Sequence, residues 1–197
     1  MTKFIIEQKI TGLVNQYRVF NTSENGEKQG LISFVQQKRF SLKEEINFYE
    51  DEKRSKLIFN VKAEKTLDFH GKFIVKDISG KTIGKVKKSF QSSLLRSTWE
   101  IIDADDKSIV TVKEKSLPIA ITRRLWQWIP IISDIPFFIK YNFVFIDSAT
   151  QEQIGSFNKT KLIRDHYEME ADDKLLQISN WQTVVAQGVL LDALQGR

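Results

Sequence analysis

The fold of this chain is decided by the stretch WQTVVAQGVLLDAL, at residues 181–194. Only four of these fourteen residues are polar, and the apolar ones fall on every side of a helical wheel. A helix that is apolar on nearly every side has to be buried on nearly every side. We therefore expect a helix at about 180–194, capped by Asn180, that the rest of the chain encloses.

Two residues of this helix carry more specific expectations. Gly188 weakens a helix interior by about 1 kcal/mol relative to Ala, which indicates that a strand side chain presses against the helix there. A carboxylate such as Asp192 on an apolar helix must either reach solvent or find a buried partner. We expect Asp192 to emerge at the mouth of the enclosing structure.

From Phe4 to about Glu170 the sequence has the pattern of antiparallel hairpins in series. Short apolar alternations are separated by clusters of Gly, Asn, Asp and Ser at spacings of roughly 8–12 residues. Twelve strands are predicted, near residues 4–10, 16–21, 30–36, 44–49, 56–64, 71–77, 83–89, 97–103, 108–113, 140–147, 153–158 and 165–170. We expect a single, mainly β domain over residues 1–197, in which a closed antiparallel barrel of about 12 strands encloses the hydrophobic C-terminal α-helix.

An internal repeat supports this count. Residues 73–86 line up with residues 143–157, and each copy contains a strand, a turn that begins with Asp, and a strand that begins Ile-Gly. Asp77 and Asp147 suit the turns because a short carboxylate can accept hydrogen bonds from backbone N–H groups two residues on. Gly84 and Gly155 indicate β-bulges or positions of close backbone approach.

The segment at 117–139 interrupts the strand pattern. It is strongly apolar and holds all three prolines of the chain, together with Arg123, Arg124 and Asp134. The charges and prolines argue against a transmembrane span, which needs roughly 20 predominantly apolar residues in succession. We expect a short helix near 120–128, followed by an irregular strap.

Composition and motifs predict neither catalysis nor a cofactor or metal. With 30 basic and 25 acidic residues, the formal net charge is +5, a mild bias toward anionic partners. The chain has no cysteine and its first ten residues lack the apolar core of a signal peptide. We therefore expect a cytoplasmic protein, with peripheral attachment to a membrane left open. His70 and His166 have no second metal ligand at helical or hairpin spacing, and we expect ordinary strand-end residues.

Two stretches superficially resemble ligand loops. Residues 79–82, SGKT, lack the first glycine of a P-loop, and residues 103–114 carry a lysine and a serine where a calcium loop needs a ligand and a glycine. We interpret the first as a hairpin turn and expect no calcium at the second. The acidic residues Glu170, Asp172 and Asp173 are interpreted as a solvated link before the C-terminal helix.

The paired hairpins, the Trp99-Glu100-Ile101 strand and the closing helix at 184–192 resemble the tubby C-terminal-like superfamily, in particular its LURP-one-related and phospholipid-scramblase-like branch. The resemblance implies a twelve-stranded barrel around a C-terminal helix. It also implies a role at lipids, since tubby domains bind phosphoinositide headgroups and scramblase-like members are tied to membranes, whereas many bacterial members have no assigned role. The segment at 117–139 departs from the family's short hairpin connections. The phosphoinositide-contact residues of tubby match no positions here, so none are carried over.

The first functional hypothesis is a non-enzymatic binding module that engages an anionic phospholipid headgroup or a membrane surface. Its candidate contacts are Lys85, Lys87, Arg123 and Arg124, because cations beside tryptophans are typical of segments at a membrane interface. Nucleic acid is not expected as a partner, since the charges form no dense basic run or recognition helix.

The alternative is a protein-interaction scaffold that docks a partner or a second copy of the chain. Its candidate interface is the aromatic strap, formed by Trp126, Trp128, Phe137 and Phe138. Aromatic residues next to arginine are the usual anchors of protein interfaces. A salt titration should weaken lipid binding and spare such an apolar interface.

Overall fold

A computed structural model of the chain describes residues 1–9, 14–38, 45–64, 71–89, 97–116, 142–161 and 166–195. Twelve antiparallel strands close into a barrel, because each strand pairs with the next along the chain and the last pairs with the first. The strands are β1 (Thr2–Lys9), β2 (Val14–Thr22), β3 (Lys28–Lys38), β4 (Glu45–Tyr49), β5 (Leu57–Ala63), β6 (Lys72–Asp77), β7 (Thr82–Lys88), β8 (Thr98–Ile102), β9 (Ser108–Glu114), β10 (Asn142–Asp147), β11 (Gln153–Lys159) and β12 (His166–Ala171). The predicted barrel is confirmed.

Two helices follow the strands, α1 (Asp173–Ile178) and α2 (Trp181–Gln195). Every residue of α2 from Thr183 to Leu191 is buried, and the helix meets strands from opposite parts of the barrel. The Trp181 ring packs edge-on against Phe59 of β5, with ring centroids 5.8 Å apart. A Cβ placed on Gly188 would overlap Met169 of β12 and lie 3.1 Å from Phe157 of β11. The barrel therefore encloses the helix, and the predicted pressure on Gly188 is confirmed.

Alternate side chains of each strand point inward and fill the space between the barrel wall and α2. Inward side chains form one core, in which Phe48 stacks on Phe59 at 4.0 Å and Phe157 stacks on Tyr167 at 4.7 Å between ring centroids. Burying each such side chain contributes roughly 1.5–3 kcal/mol. The outward residues of the same strands are free to carry charge, since the pleat separates the two faces.

Five described hairpin turns lie at one end of the barrel, which we call the hairpin end. They join β2 to β3, β4 to β5, β6 to β7, β8 to β9, and β10 to β11. Each contains one residue in the left-handed region, although the loops differ in length: three residues in the β2–β3, β6–β7 and β8–β9 turns, four between β10 and β11, and five between β4 and β5. The left-handed residues are Gly26, Arg54, Gly80, Asp106 and Gln151.

Aspartates open several of these turns, as the repeat predicts. The Asp77 carboxylate accepts hydrogen bonds from the N–H groups of Ser79 and Lys81, at 2.9 and 3.0 Å. Asp147 accepts from the N–H groups of Ala149 and Thr150, at 2.8 and 3.3 Å. The carboxylates thus satisfy backbone donors that the tight turn leaves unpaired.

The glycines of the repeat also behave as predicted. Val75 lies opposite Gly84 and Phe145 lies opposite Gly155, and the strand register shifts immediately after each pair. A Cβ on Gly84 would overlap Thr183 of α2, whereas a Cβ on Gly155 would lie 2.6 Å from the Glu170 carbonyl oxygen. Both positions therefore require glycine for close approach.

Two expectations are wrong. The acidic residues after β12 begin the short helix α1, with Asp172 as its N-cap accepting from the Leu175 N–H at 2.7 Å, because burial of Leu175 draws the segment onto the barrel. Asp192 is half-buried and does not simply emerge, because it accepts hydrogen bonds from the buried Tyr17 hydroxyl, at 2.8 Å, and from the Tyr167 hydroxyl. The segment at 117–139, with its predicted short helix, lies outside the described residues.

Candidate anion-binding site

The β6–β7 hairpin carries an unusual excess of lysine. Residues 72–88 contain six lysines and one aspartate, whereas the repeat copy at 142–159 contains one lysine with Asp147 and Glu152. The two hairpins share a turn that begins with aspartate, which is one residue longer in the second copy, together with the same bulge and the same inward alternation. The lysines of the first copy are therefore not a requirement of the shared fold.

Four of these lysines share the outer face of the hairpin, and we call them the lysine face: Lys72, Lys76, Lys85 and Lys87. They are outward because Phe73, Val75 and Val86 occupy the inward positions between them. Lys72 and Lys87 are direct cross-strand partners. Like charges directly opposite each other destabilise a sheet, so this pairing needs an anionic neighbour or an anionic ligand.

Asp106 supplies such a neighbour from the turn between β8 and β9. Its two carboxylate oxygens accept from Lys72 Nζ at 2.7 Å and from Lys85 Nζ at 2.8 Å. The hydrogen bonds from Lys72 and then Lys85 lower the pKa of Asp106 to about 2. Lys85 Nζ also donates to the Ala104 carbonyl at 3.0 Å, and Lys72 Nζ lies 3.3 Å from Glu64.

A half-open cavity of about 260 Å³ lies beside Lys85 at the hairpin end. Its walls come from the start of β7, the end of β8, the start of β9 and the link between α1 and α2. The Asn180 side chain holds this link against β7 by donating to the Ile83 carbonyl, while its oxygen caps α2 through the Thr183 N–H at 2.8 Å. The predicted N-cap is confirmed, and it also shapes the cavity.

The structure places two of the sequence-predicted lipid contacts, Lys85 and Lys87, on the lysine face of β7. The remaining predicted residues lie outside the described residues: Arg123, Arg124, Trp126, Trp128, Phe137 and Phe138. Sequence reasoning missed the partnership of Lys72 with Asp106. The register of the hairpin around Asp77 could have indicated Lys72, since it places that residue opposite Lys87.

The other candidate ligand residues have structural roles. Asp103 accepts from the N–H groups of Asp105 and Lys107, both at 2.9 Å, as a hairpin-opening aspartate does. Burial, followed by the charge of Lys161, lowers the pKa of His166, which begins β12. In the parts of the chain that the structure describes, no group of three His, Asp or Glu residues is placed to hold a metal ion.

Comparison with known proteins identifies the family. The model of the LURP-one-related family matches residues 32–174, from β3 to the start of α1. None of the curated proteins compared with the chain matches it. Within the described ranges, neither helix has the length and apolar character needed to cross a membrane. The match spans more than half of the chain and covers the barrel from β3 to β12, so this chain belongs to the LURP-one-related family of the tubby-like superfamily.

Proposed function

We propose that this protein is a non-enzymatic binding module that engages anionic lipid headgroups at a membrane surface through the lysine face. The observation that carries the proposal is the concentration of lysines on one of two hairpins that share their register, bulge and aspartate-led turn. Positive charge on one outer wall attracts anionic lipid by about 1 kcal/mol for each lysine near the surface. Arg123 and Arg124 add to this attraction in the proposal.

Membership of the family supports this assignment. It suggests a tubby-like module that binds lipids or proteins, and such barrels are generally not enzymatic. The net charge of +5 favours an anionic rather than a neutral surface.

The tip of the lysine-rich hairpin also suits a membrane. Ile78 is 70% exposed in the turn, and Lys76 and Lys81 lie on either side of it. An apolar side chain flanked by lysines is a composition suited to the lipid interface, where the apolar group enters the headgroup boundary and the ammonium groups meet anionic lipid. We therefore propose that the hairpin end faces the membrane.

Co-sedimentation with vesicles tests the proposal. The protein should pellet with vesicles of phosphatidylcholine and phosphatidylserine and not with phosphatidylcholine alone. A triple variant, Lys76→Gln, Lys81→Gln and Lys87→Gln, should bind more than about tenfold less tightly. The matched control, Lys9→Gln, Lys115→Gln and Lys161→Gln, loses the same charge from exposed positions at the opposite end of the barrel and should bind like the parent chain.

Equal pelleting with both vesicle types, or with neither, would refute the proposal. Self-association that resists salt and the lysine substitutions would instead favour the alternative, in which Trp126, Trp128, Phe137 and Phe138 dock a partner or a second copy. Raising the salt concentration should release the lipid-bound protein, because the Debye length falls from about 10 Å at 0.1 M to about 3 Å at 1 M.

A further inference from the structure

The carboxylate of Asp106 covers two ammonium groups that are less exposed than the carboxylate itself. The Asp106 side chain is 54% exposed, against 15% for Lys72 and 18% for Lys85. An anion that arrives from solvent can therefore reach the position of this carboxylate without entering the barrel wall. The two lysines are already held in place, since Lys85 also donates to the Ala104 carbonyl and Lys72 also pairs with Glu64.

We infer that Lys72 and Lys85 form a binding site for a phosphomonoester group, and that Asp106 occupies this site when no ligand is bound. The inference rests on the proposed function, because it names one ligand subsite within the lysine face. Each ammonium donates to a different oxygen of the Asp106 carboxylate, at 2.7 and 2.8 Å. Two oxygens of one phosphate can therefore take the places of these two carboxylate oxygens. A phosphomonoester carries a charge of about −1.5 to −2 at neutral pH, against −1 for the carboxylate, so it competes favourably.

The neighbouring cavity offers space for the group that carries the phosphate. Lys85 lines this cavity of about 260 Å³, opposite the link between α1 and α2. Its other lining residues include the polar Ser179 and Asn180 and the apolar Ile83 and Ile178. The ligand class is therefore a phosphate monoester on a small alcohol or glycerol group, as in the headgroup of phosphatidic acid or in a soluble phosphate ester.

Asp106 can be removed without changing the turn. It has a φ of 61°, and the corresponding residues of two other hairpin turns are Gly26 and Gly80. Glycine adopts this conformation freely, so Asp106→Gly should preserve the hairpin. Arg54→Gly is a backbone control, because Arg54 has a φ of 62° in the longer turn between β4 and β5.

The test measures binding to phosphatidylcholine vesicles that contain phosphatidic acid, with vesicles of phosphatidylserine at equal surface charge as the reference. Asp106→Gly and Asp106→Asn should each bind phosphatidic acid vesicles about fivefold more tightly, the effect of roughly one charge near an anionic surface. Asp105→Asn removes the same charge one residue away and should bind like the parent chain. Adding Lys72→Gln and Lys85→Gln to Asp106→Gly should abolish the gain.

The outcomes separate this inference from the proposed function. An equal gain from Asp105→Asn, or vesicle binding that does not respond to position 106, overturns the inference and leaves lipid binding standing. If no vesicle binds but inorganic phosphate perturbs the magnetic resonance signals of Lys72 and Lys85 in Asp106→Gly, the site holds a soluble phosphate and the lipid function fails. If neither vesicles nor phosphate bind any variant, both are refuted.

Discussion

Replacing Gly84 with alanine tests whether α2 sits inside the barrel against β7. The added Cβ would overlap the Thr183 side chain, with Thr183 Cγ2 at 2.8 Å and Thr183 Cβ at 2.9 Å. Thr183 cannot rotate clear, because its own Cβ is already too close. Either the first turn of α2 or strand β7 has to move.

The size of the effect follows from two opposing contributions. Overpacking of this kind destabilises a core by about 1–3 kcal/mol. Replacing a strand glycine with alanine returns about 0.5–1 kcal/mol, through the lower entropy of the unfolded chain. We therefore expect Gly84→Ala to lower the free energy of unfolding by about 1–2 kcal/mol.

A double-mutant cycle isolates the contact. Thr183→Ala removes Oγ1 and Cγ2, together with the hydrogen bond that Oγ1 donates to Asn180 at 2.9 Å, and should lower the free energy of unfolding by about 1 kcal/mol. In that background Gly84→Ala should cost less but not become neutral, because the overlaps with Oγ1 and Cγ2 are gone while the Cβ of residue 183 still lies 2.9 Å away. The cycle should therefore give a coupling energy of about 1 kcal/mol. Urea unfolding, followed by circular dichroism, measures all four proteins.

The repeat provides the control for this cycle. At Gly155 the added Cβ would meet the Glu170 carbonyl oxygen on β12, so Gly155→Ala should destabilise the parent chain and the Thr183→Ala variant equally. If Gly84→Ala also has the same effect in both of these backgrounds, Thr183 is not what Gly84 faces. The placement of α2 inside the barrel against β7 would then be refuted.

Three further predictions concern polar groups of the barrel. Neither amide atom of the buried Gln187 has a hydrogen-bond partner among the described residues, so Gln187→Met should raise the free energy of unfolding by about 1–3 kcal/mol, measured in urea. Asp192→Leu should lower it by about 1–3 kcal/mol, because the buried hydroxyls of Tyr17 and Tyr167 each lose a charged acceptor; an unchanged urea midpoint would contradict this. The hydrogen bond from Lys174 lowers the pKa of Asp147 from 3.8 to about 2, so its stabilising effect is complete above about pH 4 and disappears as pH falls through 2. Asp147→Asn should therefore flatten the acid branch of the stability curve, and a parallel branch in the variant would refute the assignment.

The barrel could be predicted from sequence because two patterns determine it. One is the local alternation of strand residues between turns, and the other is the apolar C-terminal tail, which has to be enclosed. Alternation and turn residues place the strand ends within two residues of most of those observed, and the tail at 181–194 requires enclosure whatever surrounds it. The short helix α1 was missed because six residues with one buried leucine give no helical periodicity. Its N-cap Asp172 lies in an acidic cluster that equally suits a solvated link.

The contacts of charged residues could not be predicted, because they depend on how the strands tilt and stagger around the barrel. Asp106 and Lys72 are 34 residues apart in sequence. Asp106 lies in the turn between β8 and β9, whereas Lys72 lies two strands away, at the end of β6 that is farther from the hairpin end. Tyr17 and Asp192 are 175 residues apart, and their meeting depends on the depth and rotation of α2. Alternation identifies which face a residue occupies and carries no information on this stagger.

The filled interior directs ligand binding to the outside of the barrel, and the lysine face shows how stability and binding oppose each other there. The apposition of Lys72 and Lys87 destabilises the hairpin, and the Asp106 carboxylate offsets this repulsion while covering the same ammonium groups that a phosphate would meet. Removing the carboxylate should therefore strengthen anion binding and weaken the fold together, whereas Asp105→Asn should do neither. A bound phosphate should restore the lost stability, because a ligand that binds only the folded state shifts the unfolding equilibrium. If Asp106→Gly gained affinity with no loss of stability in phosphate-free buffer, the carboxylate would not be a substitute for the ligand.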